Sequence, residues 1–103
     1  MDENWFAKRL TILREQKGVS ARDMSLSIGQ NPSYINNIET GKANPSLTGI
    51  MYICDYLGIT PSEFFDEGNT NPHKLHLIID HLKKLNGKQL NDIAAIIDDI
   101  INQ

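Results

Sequence analysis

The sequence has little cysteine, no excess of positive charge and no long apolar run, and each absence excludes a class of protein. Its single cysteine, Cys54, excludes an intrachain disulfide and a metal site built from several cysteines. No window approaches the roughly 18 apolar residues of a membrane-spanning helix. The start, MDENWF, is acidic and lacks the basic segment and apolar run of a signal peptide. We therefore expect a cytoplasmic protein with no membrane partner, whose 103 residues suffice for one compact domain and a short appendage.

The net charge of -3 is unevenly distributed along the chain. Between Asn4 and Ser46 six basic residues stand against three acidic ones, and between Leu47 and Gly68 four acidic residues stand alone. A mild positive excess in the first segment is compatible with a nucleic-acid partner, but it predicts modest and strongly salt-dependent non-specific affinity.

The chain is organised around one stretch, SARDMSLSIGQNPSYINNIETG, which predicts two short helices joined by a tight turn. Ser20 is a preferred N-cap residue for the first helix of this pair, and Gly29 ends that helix. Asn31 as N-cap and Pro32 at the first helical position open the second, which Gly41 ends. The expected inward residues are Met24, Ile28, Ile35 and Ile38. This arrangement is typical of a helix-turn-helix, whose second helix enters the major groove of DNA.

Three further helices are expected around this pair. Counted along the chain, one precedes the pair and runs from about Asn4 to Lys17. The fourth helix covers Leu47 to Leu57, and the fifth begins at Thr60 with a capping box to Glu63. The inner face of the fourth helix is expected to comprise Leu47, Ile50, Met51, Cys54 and Leu57. No segment shows a strand pattern, so we predict an all-α domain over residues 1–67.

A linker of turn residues, 68–72, leads to a C-terminal region, 73–103, with two apolar stripes. The expected helices are His73 to Asn86 and Lys88 to Asn102, separated by a break at Asn86 and Gly87 and folded back as a hairpin. We expect the stripes to form a homodimer interface through Leu75, Ile78, Leu82, Leu85, Leu90, Ile93, Ile97 and Ile100. The alternative is that the hairpin packs on its own domain.

At these motifs the chain resembles the phage-repressor-like (Xre/Cro) helix-turn-helix regulators. The resemblance covers roughly Phe6 to Phe65 and is carried, in order, by RLTILREQKGVS, DMSLSIG, SYINNIETGKANPSL and YICDYLGITPSEFF. It implies a five-helix lambda-repressor-like domain that binds double-stranded DNA. In that family an Arg before the first Gly pairs with a Glu near the end of the recognition helix, which here implies a structural salt bridge between Arg14 and Glu39. The alternative is two unrelated solvated charges.

The second helix of the motif, the recognition helix, is expected to present its polar residues to DNA. Pro32, Ser33, Asn36 and Asn37 lie on its outward face, and an Asn amide can pair bidentately with adenine. Contacts to the DNA backbone are expected from Arg22, Asn31, Tyr34, Thr40, Lys42 and Asn44. The alternative is that these residues merely fill a solvated face.

Four positions differ from the family pattern, one of them Leu26, which replaces a usually polar residue and is expected as an exposed contact. Ala21 stands where a phosphate-bracing Gln is common, and Pro32 stands where a polar base-reading side chain is common. Ser25 replaces a small Ala against the recognition helix and keeps its small size.

The resulting prediction is a dimeric repressor that binds an inverted-repeat operator through the major groove and blocks polymerase sterically. We expect no catalytic residues and no cofactor, because no catalytic cluster appears in the sequence. We also expect no metal site, since His73, His76 and His81 do not lie on one face of a helix. The alternative function is a protein-interaction module or antitoxin that retains the fold, with a protein partner bound by the C-terminal helices.

Overall fold

The computed structural model describes residues 2–103, and in that range the chain forms seven helices and no strand. The all-α prediction is therefore confirmed. In chain order the helices are α1 Trp5–Lys17, α2 Ala21–Ser27, α3 Tyr34–Glu39, α4 Leu47–Leu57, α5 Pro61–Phe64, α6 Pro72–Leu82 and α7 Gly87–Ile101. Within 2–103, no helix is both long enough and apolar enough to cross a membrane.

The chain divides into two compact units, of which the first ends at His73 and the second is Lys74–Gln103. The segment 68–72 lies within the first unit. There the carbonyl of Asn69 accepts a hydrogen bond from Arg9, and Pro72 is fully buried. These contacts attach the segment to the helical domain.

Side-chain caps start three helices of the first unit at the predicted residues. The Ser20 hydroxyl accepts a hydrogen bond from the Asp23 backbone at 3.0 Å, and that of Ser46 accepts one from Gly49 at 3.0 Å. Thr60 and Glu63 form the expected capping box at α5. Each cap satisfies a backbone N–H that the first helical turn leaves without a partner.

The core of the first unit lies where α1 to α5 meet. Its buried hydrophobic residues are Leu10, Leu13, Met24, Ile35, Ile38, Ile53, Cys54, Leu57, Ile59 and Phe64. Trp5 lies at its edge, with its ring stacked on Phe65 at 5.5 Å and edge-on to Phe64 at 6.1 Å. Trp5 therefore covers the core.

The buried face of α4 differs from the prediction. Leu47 is 78% exposed and Met51 is 51% exposed, whereas Ile53 is fully buried beside Cys54 and Leu57. Because α4 is apolar around most of its circumference, periodicity alone cannot select the face that meets the core.

The boundary between α6 and α7 also differs from the prediction. α6 ends at Leu82, so Leu85 lies in the following turn. The Asn86 side chain accepts from Gln89 N at 2.9 Å, and the Gln89 side chain accepts from Asn86 N at 3.0 Å. This capping box starts α7 at Gly87, so the residues predicted as a break begin the helix instead.

The helices of the second unit leave their apolar side chains accessible. No residue of α7 is buried. Exposure lies between 40% and 71% for Leu75, Leu77, Ile78, Ile79, Leu90, Ile96, Ile97, Ile100 and Ile101. Large apolar side chains exposed in such number on two helices are typical of an interaction site.

Candidate nucleic-acid interface

The helix pair of the predicted motif is held together by a buried hydroxyl. Ser25 on α2 is fully buried, and its Oγ donates to the carbonyl of Ala21 at 2.7 Å. The same oxygen accepts a hydrogen bond from the backbone N–H of Ile35 at 2.9 Å. Ser25 thus caps the first turn of the recognition helix, α3, from the neighbouring helix.

The sequence reasoning noted only the small size of Ser25. The signal for its polar role is a hydroxyl residue beside Met24, on the buried side of an otherwise amphipathic helix. A buried hydroxyl needs a hydrogen-bond partner, and the nearest unpaired donors in such a motif are at the start of the second helix.

The recognition helix starts later than predicted. α3 begins at Tyr34 with Ser33 as its N-cap, and the first helical hydrogen bond runs from Asn37 N to Ser33 O at 2.9 Å. Asn31 caps the preceding turn instead, since its Oδ1 accepts from Ser33 N at 3.0 Å. Pro32 therefore belongs to this turn and not to the helix. Because proline fixes φ and lacks an N–H, it fits either position, which is why the sequence did not separate them.

The predicted base-reading residues surround the start of α3. Pro32, Ser33 and Asn36 are exposed, and Asn37 is half-buried. Of the predicted backbone contacts, the exposed ones are Arg22, Asn31, Thr40, Lys42 and Asn44. The side chains at this surface are thus mostly neutral amides and hydroxyls, which can both donate and accept hydrogen bonds.

Tyr34 is half-buried and packs against the core. Its hydroxyl occupies the space that a Cβ at Gly49 would fill. Gly49 is therefore needed for close approach of the tyrosine to α4. The hydroxyl lies at the start of α4, where any phosphate contact by Tyr34 would have to form.

Arg14 and Glu39 form a bidentate ion pair between α1 and the end of α3. Arg14 Nε lies 2.7 Å from Glu39 Oε2, and Arg14 Nη2 lies 2.9 Å from Glu39 Oε1. Arg14 also donates to the carbonyl of Val19 at 2.8 Å. The hydrogen bond to Glu39 raises the pKa of Arg14. Because both side chains are partly buried, the pair fixes the end of α3 against α1 more firmly than a solvated pair would.

Arg9 is a structural residue that the sequence reasoning counted among the positive charges of the segment expected to face DNA. It is 7% exposed and donates to four carbonyls beyond α1, those of Glu63, Phe64, Asp66 and Asn69. Burial lowers its pKa. The detectable signal was its position, three residues after Phe6 on the apolar side of α1. The charge of Arg9 is therefore not available to DNA.

The electrostatics of the candidate surface are correspondingly mild. Arg9 and Arg14 bind groups within the chain, and Lys17 lies 5.0 Å from the centre of the Tyr56 ring. The exposed cations nearest α3 in sequence are Arg22 and Lys42. With so few cations, hydrogen bonding from polar side chains has to supply much of any recognition.

Cys54 is not exposed to reactants. It is 1% exposed, and burial, with a smaller effect of Asp55, raises the pKa of its thiol to about 11. Across the described range no group of three or more His, Cys, Asp or Glu could hold a metal ion.

Comparison with known proteins places this domain in a family. The HTH_3 family model, described as helix-turn-helix, matches residues 10–64. The HTH-type transcriptional regulator PuuR of Escherichia coli (strain K12) is 35% identical over 60 residues, which cover 58% of this chain and 32% of that protein. The control protein C.MunI of Mycoplasma sp is 36% identical over 63 residues, covering 60% of this chain and 85% of that protein. No solved structure matches the chain significantly.

The chain therefore belongs to the helix-turn-helix family of DNA-binding transcription regulators, as the resemblance indicated. The family is one of regulators and not of enzymes. The chain spans about a third of the length of PuuR, so the similarity concerns the domain and not the whole of that relative.

Proposed function

We propose that the protein is a sequence-specific DNA-binding regulator that acts as a dimeric repressor. The observation that carries the proposal is the exposed polar surface at the start of α3, formed by Ser33 and Asn36 beside half-buried Asn37. The Ser25 hydrogen bond and the Arg14–Glu39 pair attach this helix at its beginning and its end. A helix held at both ends can present its side chains to base edges with little loss of conformational entropy on binding.

Base recognition in this proposal depends on the asparagines. The amino group of an Asn amide can donate to adenine N7, and its oxygen can accept from the adenine N6 amino group in the major groove. This bidentate pairing is worth about 1–3 kcal/mol of discrimination against other bases. Ser33 can contact several bases, and Pro32 offers an apolar contact to a thymine methyl. Contacts to phosphates by Arg22 and Lys42, with Asn31, Thr40, Tyr34 and Asn44 as polar neighbours, would set the register without reading sequence.

Dimerisation in this proposal uses the apolar side chains of the second unit. The contributing residues are Leu75, Ile78, Leu82, Leu85, Leu90, Ile93, Ile97 and Ile100. Support comes from the exposure of five of them, whereas Leu82, Leu85 and Ile93 are half-buried. No residue of α7 is buried within the chain. Two copies related by a twofold axis would present two recognition helices about 34 Å apart, one DNA turn, to an inverted repeat. Repression would follow from exclusion of polymerase.

The names of the relatives agree with this role, since PuuR is called a transcriptional regulator and C.MunI a control protein. The test is selection of bound duplexes from a random DNA pool at low salt, over several rounds. Enrichment of an inverted repeat with half-site centres about 10 base pairs apart supports the dimeric regulator. A folded, dimeric protein that enriches no sequence would instead support the alternative of a protein-interaction module that keeps the fold.

A further inference from the structure

In the second unit, α6 with the turn after it and α7 carry net charges of opposite sign. The charges of α6 and the turn after it are Lys74, Asp80, Lys83 and Lys84, and those of α7 are Lys88, Asp92, Asp98 and Asp99. The α6 segment, defined as α6 and the turn after it (72–84), thus has three lysines against one aspartate, and two of the lysines, Lys83 and Lys84, lie in the turn. α7 has three aspartates against one lysine.

Two of these charged residues form an ion pair within α7. Lys88 Nζ lies 3.2 Å from Asp92 Oδ2 on the same helix. Lys83, Lys84 and Asp98 are exposed and make no ion pair within the described residues. With about 3.6 residues per turn, Asp92 and Asp98 border the apolar stripe of α7 on opposite sides. Opposite charges in such flanking positions favour one helix pairing over others.

This distribution fits a second copy of the chain better than a different partner. The unit carries four lysines and four aspartates, so a partner of one charge sign would be repelled by one of the two helices. A second copy presents both signs. A twofold interface requires self-complementarity of this kind, because each contact occurs twice with the roles of the two copies exchanged.

We infer that α6 of one copy packs its apolar stripe against α7 of a second copy, with the lysines of α6 and its following turn beside the aspartates of α7. This pairing rests on the proposed dimer and specifies which helices form it. The twofold axis then creates the same contact a second time, between α7 of the first copy and α6 of the second.

Two charge-reversed variants of the full chain test the pairing. The first, Lys83→Glu/Lys84→Glu, makes the α6 segment acidic by changing the turn that follows the helix. The second, Asp92→Lys/Asp98→Lys, makes α7 basic. All four positions are exposed, so both variants are expected to fold, which circular dichroism checks. Dimerisation is measured by sedimentation equilibrium at low salt, and native mass spectrometry distinguishes mixed from identical pairs.

Each variant alone would place like charges across both contacts, so its dimer Kd is expected to rise roughly tenfold or more. Mixing the two variants places acidic α6 against basic α7 in one contact and basic α6 against acidic α7 in the other. A mixed dimer with near wild-type Kd is therefore expected, and in 1 M salt the defects of the separate variants should shrink because the charges are screened.

If the lysines and aspartates instead pair within the same copy, mixing the two variants should not restore dimerisation. The mixture would then gain nothing, because α6 and α7 of every chain would still carry like charges. If the wild type dimerises, two results would contradict the α6–α7 pairing: a mixture that stays monomeric, or separate variants that dimerise as tightly as the wild type. A wild-type chain that is itself monomeric would contradict the proposed dimer, and the two failures are thereby distinguished.

Discussion

The hydroxyl of Ser25 and the backbone nitrogen of Ile35 lie 2.9 Å apart, so a buried side chain of α2 caps the start of the recognition helix. Both residues are fully buried. No water can replace the hydroxyl at such a site without room for it, so the hydrogen bond has to be supplied by the protein. The Ser25 hydroxyl therefore helps to fix the start of α3, as the Arg14–Glu39 pair fixes its end.

Replacing Ser25 by Ala should destabilise the domain by about 1–3 kcal/mol, because the N–H of Ile35 would remain buried without a partner. Urea unfolding measures the change. Ser27→Ala is a matched control, since Ser27 is an exposed residue at the end of the same helix. Equal stabilities for the two variants would show that the Ser25 hydroxyl is not needed to position α3.

Replacing Arg9 by Met keeps the apolar stem but leaves four carbonyls without their charged donor. We expect a loss of about 3 kcal/mol in the free energy of unfolding, since hydrogen bonds to charged groups are among the stronger ones. Hydrogen exchange should also accelerate locally at the amides of Asp66 and Asn69, which belong to the turns that Arg9 contacts. Lys8→Met is the control, as Lys8 is exposed on the same helix. Equal exchange in both variants would contradict the role assigned to Arg9.

Cys54 should make the stability of the domain depend on alkaline pH. Its thiol has a pKa of about 11 in the folded chain against 9.0 ordinarily, so the unfolded chain loses this proton first. The stabilisation is therefore complete below about pH 9 and is lost as the pH rises toward 11. Comparing urea midpoints of wild type and Cys54→Ala between pH 7 and 10.5 isolates the effect from other titrating groups. A difference between the two proteins that does not change with pH would contradict this prediction.

DNA affinity should depend less steeply on salt than the count of basic residues predicts, because Arg9 and Arg14 bind groups within the chain. If Arg22 and Lys42 of each subunit neutralise one phosphate each, log K should fall with log salt with a slope of about -3.6, at about -0.9 per phosphate. Arg22→Ala should reduce the slope by about two in the dimer, whereas Lys8→Ala should leave it unchanged. A slope twice as steep would mean that further cations contact the DNA.

The sequence predicted those features of the fold that depend on local chemistry. Ser20, Ser46 and Thr60 cap helices where capping rules placed them, because a cap needs only a side-chain oxygen and an N–H two or three residues away. The inward residues Met24, Ile35 and Ile38 were also predicted from their helical spacing, and all three are buried.

The features that the sequence did not predict depend on contacts between distant segments. The partners of Arg9 lie more than fifty residues further along the chain, so its burial could not be read from α1 alone. The exposure of Leu47 and the burial of Ile53 follow from which side of an all-round apolar helix meets the core. At the candidate site, local rules identified the exposed polar residues but not the later start of α3, which the Asn31 turn determines.

The central claim, that the outward face of α3 reads DNA sequence, is tested most directly by one comparison of affinities. Asn36→Ala and Asn91→Ala each remove an exposed helical amide, the first from α3 and the second from α7. Fluorescence anisotropy would measure their binding to the duplex selected from the random pool. We expect Asn36→Ala to lose about 1–3 kcal/mol of binding free energy per half-site and to relax base preference there, with Asn91→Ala close to wild type. Equal affinity and unchanged base preference for Asn36→Ala and the wild type would contradict the claim.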